Sequence, residues 1–506
     1  MQDNTVHVSA RAAAYYADGE LVVAPDGGVP EQHVREDEIV VIMRTLDDGP
    51  AIYRLVWLRE TADGTEAPFR LETVLLAGAA VDRLPHHLLD RHRLQAIPPV
   101  FQSGSQALHV VVSTRSGVGQ AQTFYSAVLA PLLGHFGLSA ATTAQTKSRT
   151  FHLLVTSNSR SVSDFARTLG PDAPTVILLS GDGGVVDLLN GVAVDTSSPQ
   201  DRRLPTIALL PLGTGNALFH SLHRSPTSAS TSSASSLVLG LRTLLHGQTA
   251  RLPNFEASFA PGSHAVSYSG NENTERIEPV ARLRGAIVAS YGFHAQLVWE
   301  SDTPAYRRHG AKRFGMAAQE LLKTAHVYMA DVETTTPASA DAYNPRQTLG
   351  HRFSYVLATM VSNLEKTFTI SPASWPLDGQ LRLVHFGAVG GTRTMDIMMA
   401  AYNNGAHVGM RWPAAEGDDA AEEEAVGYGA IDELRITVHE PDARWRKMYV
   451  PLSPVSNALL TQHRCIDGTI VELPQNGWMH VRKATRPVLQ IMVEKEQWIS
   501  HKTTKE

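Results

Sequence analysis

The spacing of apolar residues changes character twice along the chain, and the changes divide it into three stretches. Up to residue 100 the apolar positions come in short runs, at 21–23, 38–43, 51–58 and 69–76, with Asp-Gly, Asp-Asp-Gly and Ala-Asp-Gly turns near them. Short runs bounded by such turns predict strands. Ile97-Pro98-Pro99 is the expected linker. From 105 to 245 strand-like and helical spacings alternate. Runs at 108–112, 151–155, 176–179 and 206–210 predict strands, and the spacing over 120–136, 161–169 and 185–189 predicts helices. Alternation of this kind predicts a parallel sheet with helices on both faces. From 250 to 495 strands dominate again, at 284–290, 353–361, 381–386, 434–438, 469–473 and 488–493, which predicts a β-sandwich. Two stretches interrupt it: a basic and then helical one at 306–323, and an acidic, alanine-rich one at 414–425 that reads as a solvated loop. Residues 225–236, rich in Ser, Thr and Ala, read as a surface loop.

Composition narrows the functional classes. The chain has 506 residues, for which about three domains are expected, and 43% apolar with 19% charged residues describes ordinary globular protein. A net charge of −6 gives no general attraction to nucleic acid or to an anionic membrane. Cys465 is the single cysteine, so no disulfide forms within the chain and a reducing, cytoplasmic location is expected. No apolar run approaches the roughly 18 residues that span a bilayer. Neither a signal peptide nor a lipidation motif is visible, so any membrane association is expected to be peripheral and transient. The 22 histidines show no metal-ligand spacing.

The chemistry concentrates in three glycine turns, each following a predicted strand. The central one lies in TVILLSGDGGVVDLLNG, residues 175–191, where an apolar strand gives way to Ser180, Gly181, Asp182, Gly183 and Gly184 before a helix. Glycines allow close backbone approach, and a helix N-terminus offers N–H groups to an anion. Asp182 is out of place in a plain phosphate cradle, because carboxylate and phosphate repel. It makes sense if it acts on a nucleophile or holds a metal beside the phosphate; the alternative is a turn aspartate bonded to its own backbone. The first turn, STRSGVGQA at 113–121, and the third, PLGTGNALFHS at 211–221, also join strand to helix. In a parallel sheet all three open at the carboxyl ends of the strands and face one cleft.

Together these residues carry a family resemblance. SGDGGVVDLLNG followed by PLGTGNALFHS resembles the catalytic domain shared by diacylglycerol, sphingosine and ceramide kinases, and STRSGVGQA is similar to that family's first nucleotide loop. YGFHAQLVWESDTPAYRRHGAKRF at 291–314 resembles the segment after the nucleotide domain in sphingosine and ceramide kinases, and Cys465-Ile466-Asp467-Gly468 resembles their late aspartate-glycine turn. The Asp-Gly turn alone also occurs in NAD kinases and phosphofructokinases; the GTGNALFHS partner favours the lipid kinases. The resemblance implies an α/β nucleotide-binding domain of NAD kinase/diacylglycerol kinase type at 105–245, followed by a β-sandwich lipid-binding domain at 250–495. Residues 1–100 are then a β-rich N-terminal module, either of pleckstrin-homology type or an extra sheet packed on the next domain.

The same resemblance implies an ATP-dependent lipid kinase that uses ATP with Mg²⁺, and it assigns roles by position. Asp182 takes the proton of the lipid hydroxyl. Ser113, Arg115, Ser116, Gly117, Gly119, Thr146, Ser180, Gly181, Gly183, Asp187, Gly213, Thr214, Gly215 and Asn216 bind nucleotide. Arg307, Arg313, Asp467 and Gly468 join them, the arginines by pairing with phosphates. No metal ligand is assigned. The lipid partner is expected against Gln296, Val298, Glu300 and Asp302, and no nucleic-acid partner is expected.

Departures from the family pattern leave alternatives open. Ser113-Thr114 stands where the family has Asn-Pro, and Thr469 follows Gly468 where it has a glutamate. A non-catalytic lipid-binding relative with a decayed nucleotide cleft is one alternative, and a kinase for a soluble metabolite is another. The acceptor is also open. GNALFHS is closest to sphingosine kinases, but the positions expected to carry their ammonium-binding aspartate read Gln296 and Val298. Glu300 and Asp302 lie a few residues on as possible substitutes. Ceramide and diacylglycerol lack the ammonium and need no such acid.

Overall fold

The computed structural model describes residues 11–25, 30–46, 51–61, 67–102, 107–141, 149–158, 160–170, 174–192, 204–224, 234–269, 274–310, 312–337, 346–413, 423–450 and 469–495. Thr146, Asp467, Gly468 and most of the acidic 414–425 stretch lie outside them.

The N-terminal stretch forms a six-stranded sheet in the order Gln32–Arg35, Glu20–Pro25, Arg11–Ala17, Phe69–Ala77, Ile52–Glu60 and Ile39–Arg44. Both of its faces are buried. Ile42, Leu55, Trp57 and Leu76 pack under the helix His86–His92 through Leu88 and Leu89. On the opposite face Val40, Val56, Leu58 and Phe69 share one core with Phe124, Val128 and Leu132 of the following unit. Phe69 meets Phe124 edge-on at 5.2 Å. A register shift between Ile39 and Val41 breaks the usual alternation and puts the consecutive residues Val40 and Val41 into the same core. Arg242 adds bonds from Nε to the Ile39 carbonyl and from Nη2 to the Glu36 carbonyl, each 2.8 Å.

The second sheet has seven strands in the order Gln248–Arg251, Gln490–Val493, Thr206–Pro211, Thr175–Ser180, Leu108–Val112, Arg149–Val155 and Leu138–Ala140. All neighbours are parallel except the first pair. Alternate residues face alternate sides, as strand geometry requires. Ile177 and Leu179 pack with the helical stretch 121–135 and with Ser236–His246. Val176 and Leu178 pack with Ser161–Thr168, Asp182–Gly191 and Ala217–Leu222. The stretch 121–135 is one helix with a π-helical segment at Tyr125–Leu129. Pro131 lies two residues beyond it, and a proline has no N–H for the regular ladder.

Two features differ from the sequence expectation. The strand expected at 488–493 in the sandwich instead pairs with Thr206–Pro211 and Gln248–Arg251 in the α/β sheet, so the chain returns to the nucleotide unit near its end. The expected β-sandwich is a single continuous sheet of thirteen strands. The predicted strand at 284–290 splits into Arg282–Gly285 and Val288–Gly292, which lie well apart in the strand order. Residues so close in sequence can occupy distant places in one sheet only if it curls back on itself. Register shifts in the pairings of Tyr328–Thr335 and Gln347–Thr359 mark the bends. Among the described residues three helices of nine or more residues accompany this sheet: Phe293–Ser301, Lys312–Thr324 and Gly391–Ala401. No helix among the described residues is long and apolar enough to cross a membrane.

Because the N-terminal sheet covers Phe124, Val128 and Leu132, a chain lacking residues 1–100 is expected to aggregate and to bind the hydrophobic dye ANS strongly. A truncated protein that stays monomeric with an unchanged melting temperature would show that the sheet is dispensable for folding.

Candidate active site

The three glycine turns leave adjacent strands, since Thr175–Ser180 lies between Leu108–Val112 and Thr206–Pro211. Backbone bonds stitch their starts together: Ser113 N–H to the Leu179 carbonyl at 3.0 Å, and Leu212 N–H to the Ser180 carbonyl at 3.1 Å. The central turn is tighter than its sequence suggests. Ser180 ends the strand and the helix begins at Asp182, so Gly183 and Gly184 are already helical. A Cβ on Gly184 would sit 2.8 Å from Ser180 Cβ, and one on Gly181 would sit 2.8 Å from Gly213 Cα. The second and third turns thus touch backbone to backbone, and neither Gly181 nor Gly213 has space for a side chain.

Several polar groups expected to face nucleotide are engaged inside these turns. Gly181 N–H donates to Ser116 Oγ at 2.9 Å. Gly213 N–H donates to Asn216 Oδ1 at 3.0 Å, and Asn216 Nδ2 donates back to the Gly213 carbonyl at 2.9 Å. Asn216 is itself left-handed at φ 53°, a conformation asparagine tolerates better than most residues. In the first turn Gly117 is left-handed at φ 56°. Thr114 is tied to Thr156 through N–H to Oγ1 at 3.1 Å and Oγ1 to the carbonyl at 3.0 Å. Arg115 carries a buried guanidinium nitrogen, Nη1, with no hydrogen-bond partner among the described residues. Such a donor beside glycine turns suits an anion. Asp187 is buried further along the central helix.

Asp182 occupies the centre of this arrangement. Its Oδ2 accepts the N–H of Ala217 at 2.7 Å and its Oδ1 accepts that of Leu218 at 3.0 Å. The carboxylate therefore bonds to the start of the helix that follows the third turn. Two backbone donors fix its orientation.

A cavity of about 370 Å³ opens at this carboxylate, within the size range of small-molecule sites. Asp182, Thr214 and Gly215 form one end, and Phe293, Leu297, Val298 and Tyr355 form part of the wall. Ala318 and Leu322 of one helix and Met395, Met398 and Met399 of another line it as well. Of the lining residues Met399 is 58% exposed and Tyr402 is 44% exposed. His294 lines the wall with Nδ1 2.7 Å from Ser290 Oγ, and burial pushes its pKa down to about 4, so it is neutral near pH 7.

The four residues expected to meet lipid divide. Val298 and Asp302 line the cavity, whereas Gln296 and Glu300 do not. Gln296 Nε2 donates to Glu300 Oε1 at 2.8 Å, and Arg444 lies 3.5 Å from the same oxygen. Asp302 pairs with Arg313 at 3.3 Å, so Arg313 also faces the apolar cavity. Arg307 ends the short helix Pro304–Arg307. Sequence reasoning missed the 361–370 loop and the helix Gly391–Ala401. The loop is held by Ser221, whose Oγ accepts N–H groups from Ser362 at 3.1 Å and Asn363 at 2.9 Å. It brings Leu364, Glu365 and Phe368 to the cavity. The i, i+3, i+4 spacing of Met395, Met398 and Met399 was the one signal available for the helix.

Residues 107–245 match the family profile of the diacylglycerol kinase catalytic domain. A search of curated proteins finds no match. Among solved structures, a diacylglycerol kinase of Bacillus anthracis str. Sterne aligns at 12% identity over 78% of this chain and 99% of that one, with a TM-score of 0.42. Two provisionally named diacylglycerol kinases of the same organism align at 13% identity over the same shares, with TM-scores of 0.42 and 0.41. At that similarity neither activity nor ligand follows from the neighbours.

The backbone contact between Gly181 and Gly213 yields a stability test. Gly213→Ala is expected to lower unfolding free energy by about 1–3 kcal/mol, the usual cost of overpacking. Gly215→Ala, whose added Cβ would lie 3.2 Å from the Leu364 carbonyl oxygen, is expected to cost less. Chemical denaturation checks both.

Proposed function

We propose that this protein is an ATP-dependent lipid kinase that transfers the γ-phosphoryl group to a lipid hydroxyl, with a sphingoid long-chain base as acceptor. Ceramide and diacylglycerol are the alternative acceptors. The reading rests on one observation above all: the Asp182 carboxylate stands where glycine turns meet an apolar cavity. The match of residues 107–245 to the diacylglycerol kinase catalytic domain supports it.

Phosphoryl transfer demands positioning and charge neutralisation more than covalent chemistry. An apolar chain in the cavity would leave its hydroxyl end at Asp182. The carboxylate, held by two N–H bonds, would orient that hydroxyl and accept its proton as the oxygen attacks. Nucleotide phosphates would lie over the turns at 113–121 and 211–221, where the buried Arg115 Nη1 suits an anion. Among the described residues no group of three His, Cys, Asp or Glu side chains is arranged to hold a metal. Mg²⁺ supplied with the nucleotide would neutralise charge on the transferring group. Membrane contact, needed to collect such a substrate, would be transient.

The test is a phosphate-transfer panel of sphingoid base, ceramide, diacylglycerol and soluble alcohols, run with wild type and Asp182→Asn. Wild type is expected to phosphorylate a lipid, and the variant to lose about 10²–10⁴-fold in turnover. Asparagine cannot accept both N–H bonds, so a melting-temperature drop of a few degrees is also expected, corresponding to about 1–3 kcal/mol. Wild-type turnover in the variant, or phosphorylation of soluble alcohols alone, would refute the assignment.

A further inference from the structure

The cavity has a charge balance that its apolar lining conceals. Three carboxyl groups face it, those of Asp182, Asp302 and Glu365, against the single guanidinium of Arg313. Asp302 is paired with that guanidinium. His294 is neutral near pH 7 and adds no cation. Among the described residues lining the cavity, Glu365 is thus an acid without an ion pair; it accepts a hydrogen bond from the Tyr402 hydroxyl at 3.5 Å.

Its place relative to Asp182 is also specific. A Cβ on Gly215 would lie 4.0 Å from Asp182 Oδ2 and 3.2 Å from the carbonyl oxygen of Leu364. The residue next to Glu365 therefore reaches the spot that Asp182 flanks. Ser221 holds this loop through the N–H groups of Ser362 and Asn363, so the placement is built in and not a loose surface contact. Burial raises the pKa of Glu365, with the Tyr402 bond opposing. A carboxylate destabilised by burial gains from an incoming cation.

A sphingoid base has its amine on the carbon next to the one bearing the reactive hydroxyl. Its ammonium must then sit close to the acceptor oxygen and needs a carboxylate there. Glu300, offered by the sequence, is engaged by Gln296 and Arg444 outside the cavity. We propose that Glu365 is the counter-ion for the substrate ammonium and selects a free sphingoid base over its N-acylated, neutral counterparts. This assignment rests on the lipid-kinase reading above.

The experiment compares kcat/KM for sphingosine and for N-acetylsphingosine, both dispersed in nonionic detergent, using full-length protein. Wild type is expected to favour the base. Glu365→Gln is expected to lower the base-to-amide ratio by about tenfold or more, as for a lost charge-assisted hydrogen bond. The loss should fall on KM for the base and not on KM for ATP. Tyr402→Phe, which keeps the carboxylate, should leave the ratio within about twofold of wild type, well short of the loss of a charged partner. A wild type that phosphorylates only neutral lipids would overturn this proposal and leave the kinase reading standing. An unchanged ratio in Glu365→Gln, or an equal loss in Tyr402→Phe, would also overturn it. Absence of lipid phosphorylation altogether would overturn both.

Discussion

Both oxygens of one carboxylate accept N–H groups from a neighbouring element, and the geometry of the candidate site hangs on that pair of bonds. Asp182 opens the helix after the central strand, while Ala217 and Leu218 open the helix after the next one. The bonds join two βα units at the carboxyl edge of the sheet, where ligands of such sheets gather. They also set the orientation of the carboxylate. A group placed by main-chain donors loses little freedom when a hydroxyl arrives, which is the kind of preorganisation that phosphoryl transfer uses. The structural role of Asp182 is therefore compatible with the chemical role proposed for it.

The same edge ties the two large sheets together. The helix Ala217–Leu222 begins at the Asp182 bonds and carries Ser221, which accepts N–H groups from the 361–370 loop of the thirteen-stranded sheet. Glycine turns, carboxylate and cavity wall are thus linked within one short helix. The glycines divide their work. Gly181 and Gly213 are required by contact between two turns, and their N–H groups are used within the protein. Thr214 and Gly215 are the part of the third turn that borders the cavity. Glycine richness marks this edge as a place of close approach, but part of that approach is of protein to itself.

The cavity combines an apolar wall with an excess of carboxyl over cationic groups. An apolar wall suits a hydrocarbon chain, and an unneutralised carboxyl in such surroundings suits a cation. The Asp302–Arg313 pair removes one acid from that role, and the contacts of Glu300 remove another. The loop that supplies Glu365 belongs to the larger sheet, so the cavity wall is assembled from both units.

Periodicity alone determined the β-rich start, the alternating strands and helices of 105–245, and the strand-dominated remainder, because burial of one face imposes a repeat on the residues that form it. It also isolated the glycine turns and Asp182, since small residues around an acid at a strand end have few other uses. Periodicity reports that a face is buried and not against what. It could not tell that residues 490–493 return to the α/β sheet, or that Arg282–Gly285 and Val288–Gly292 part company within one curled sheet. Nor could it choose among acids near a motif. Glu300 lies within a recognisable segment and points elsewhere, while Glu365 lies in an unmarked loop and reaches the cavity. Which carboxyl faces the site depends on contacts between segments distant in sequence, and only the tertiary structure brings those segments together.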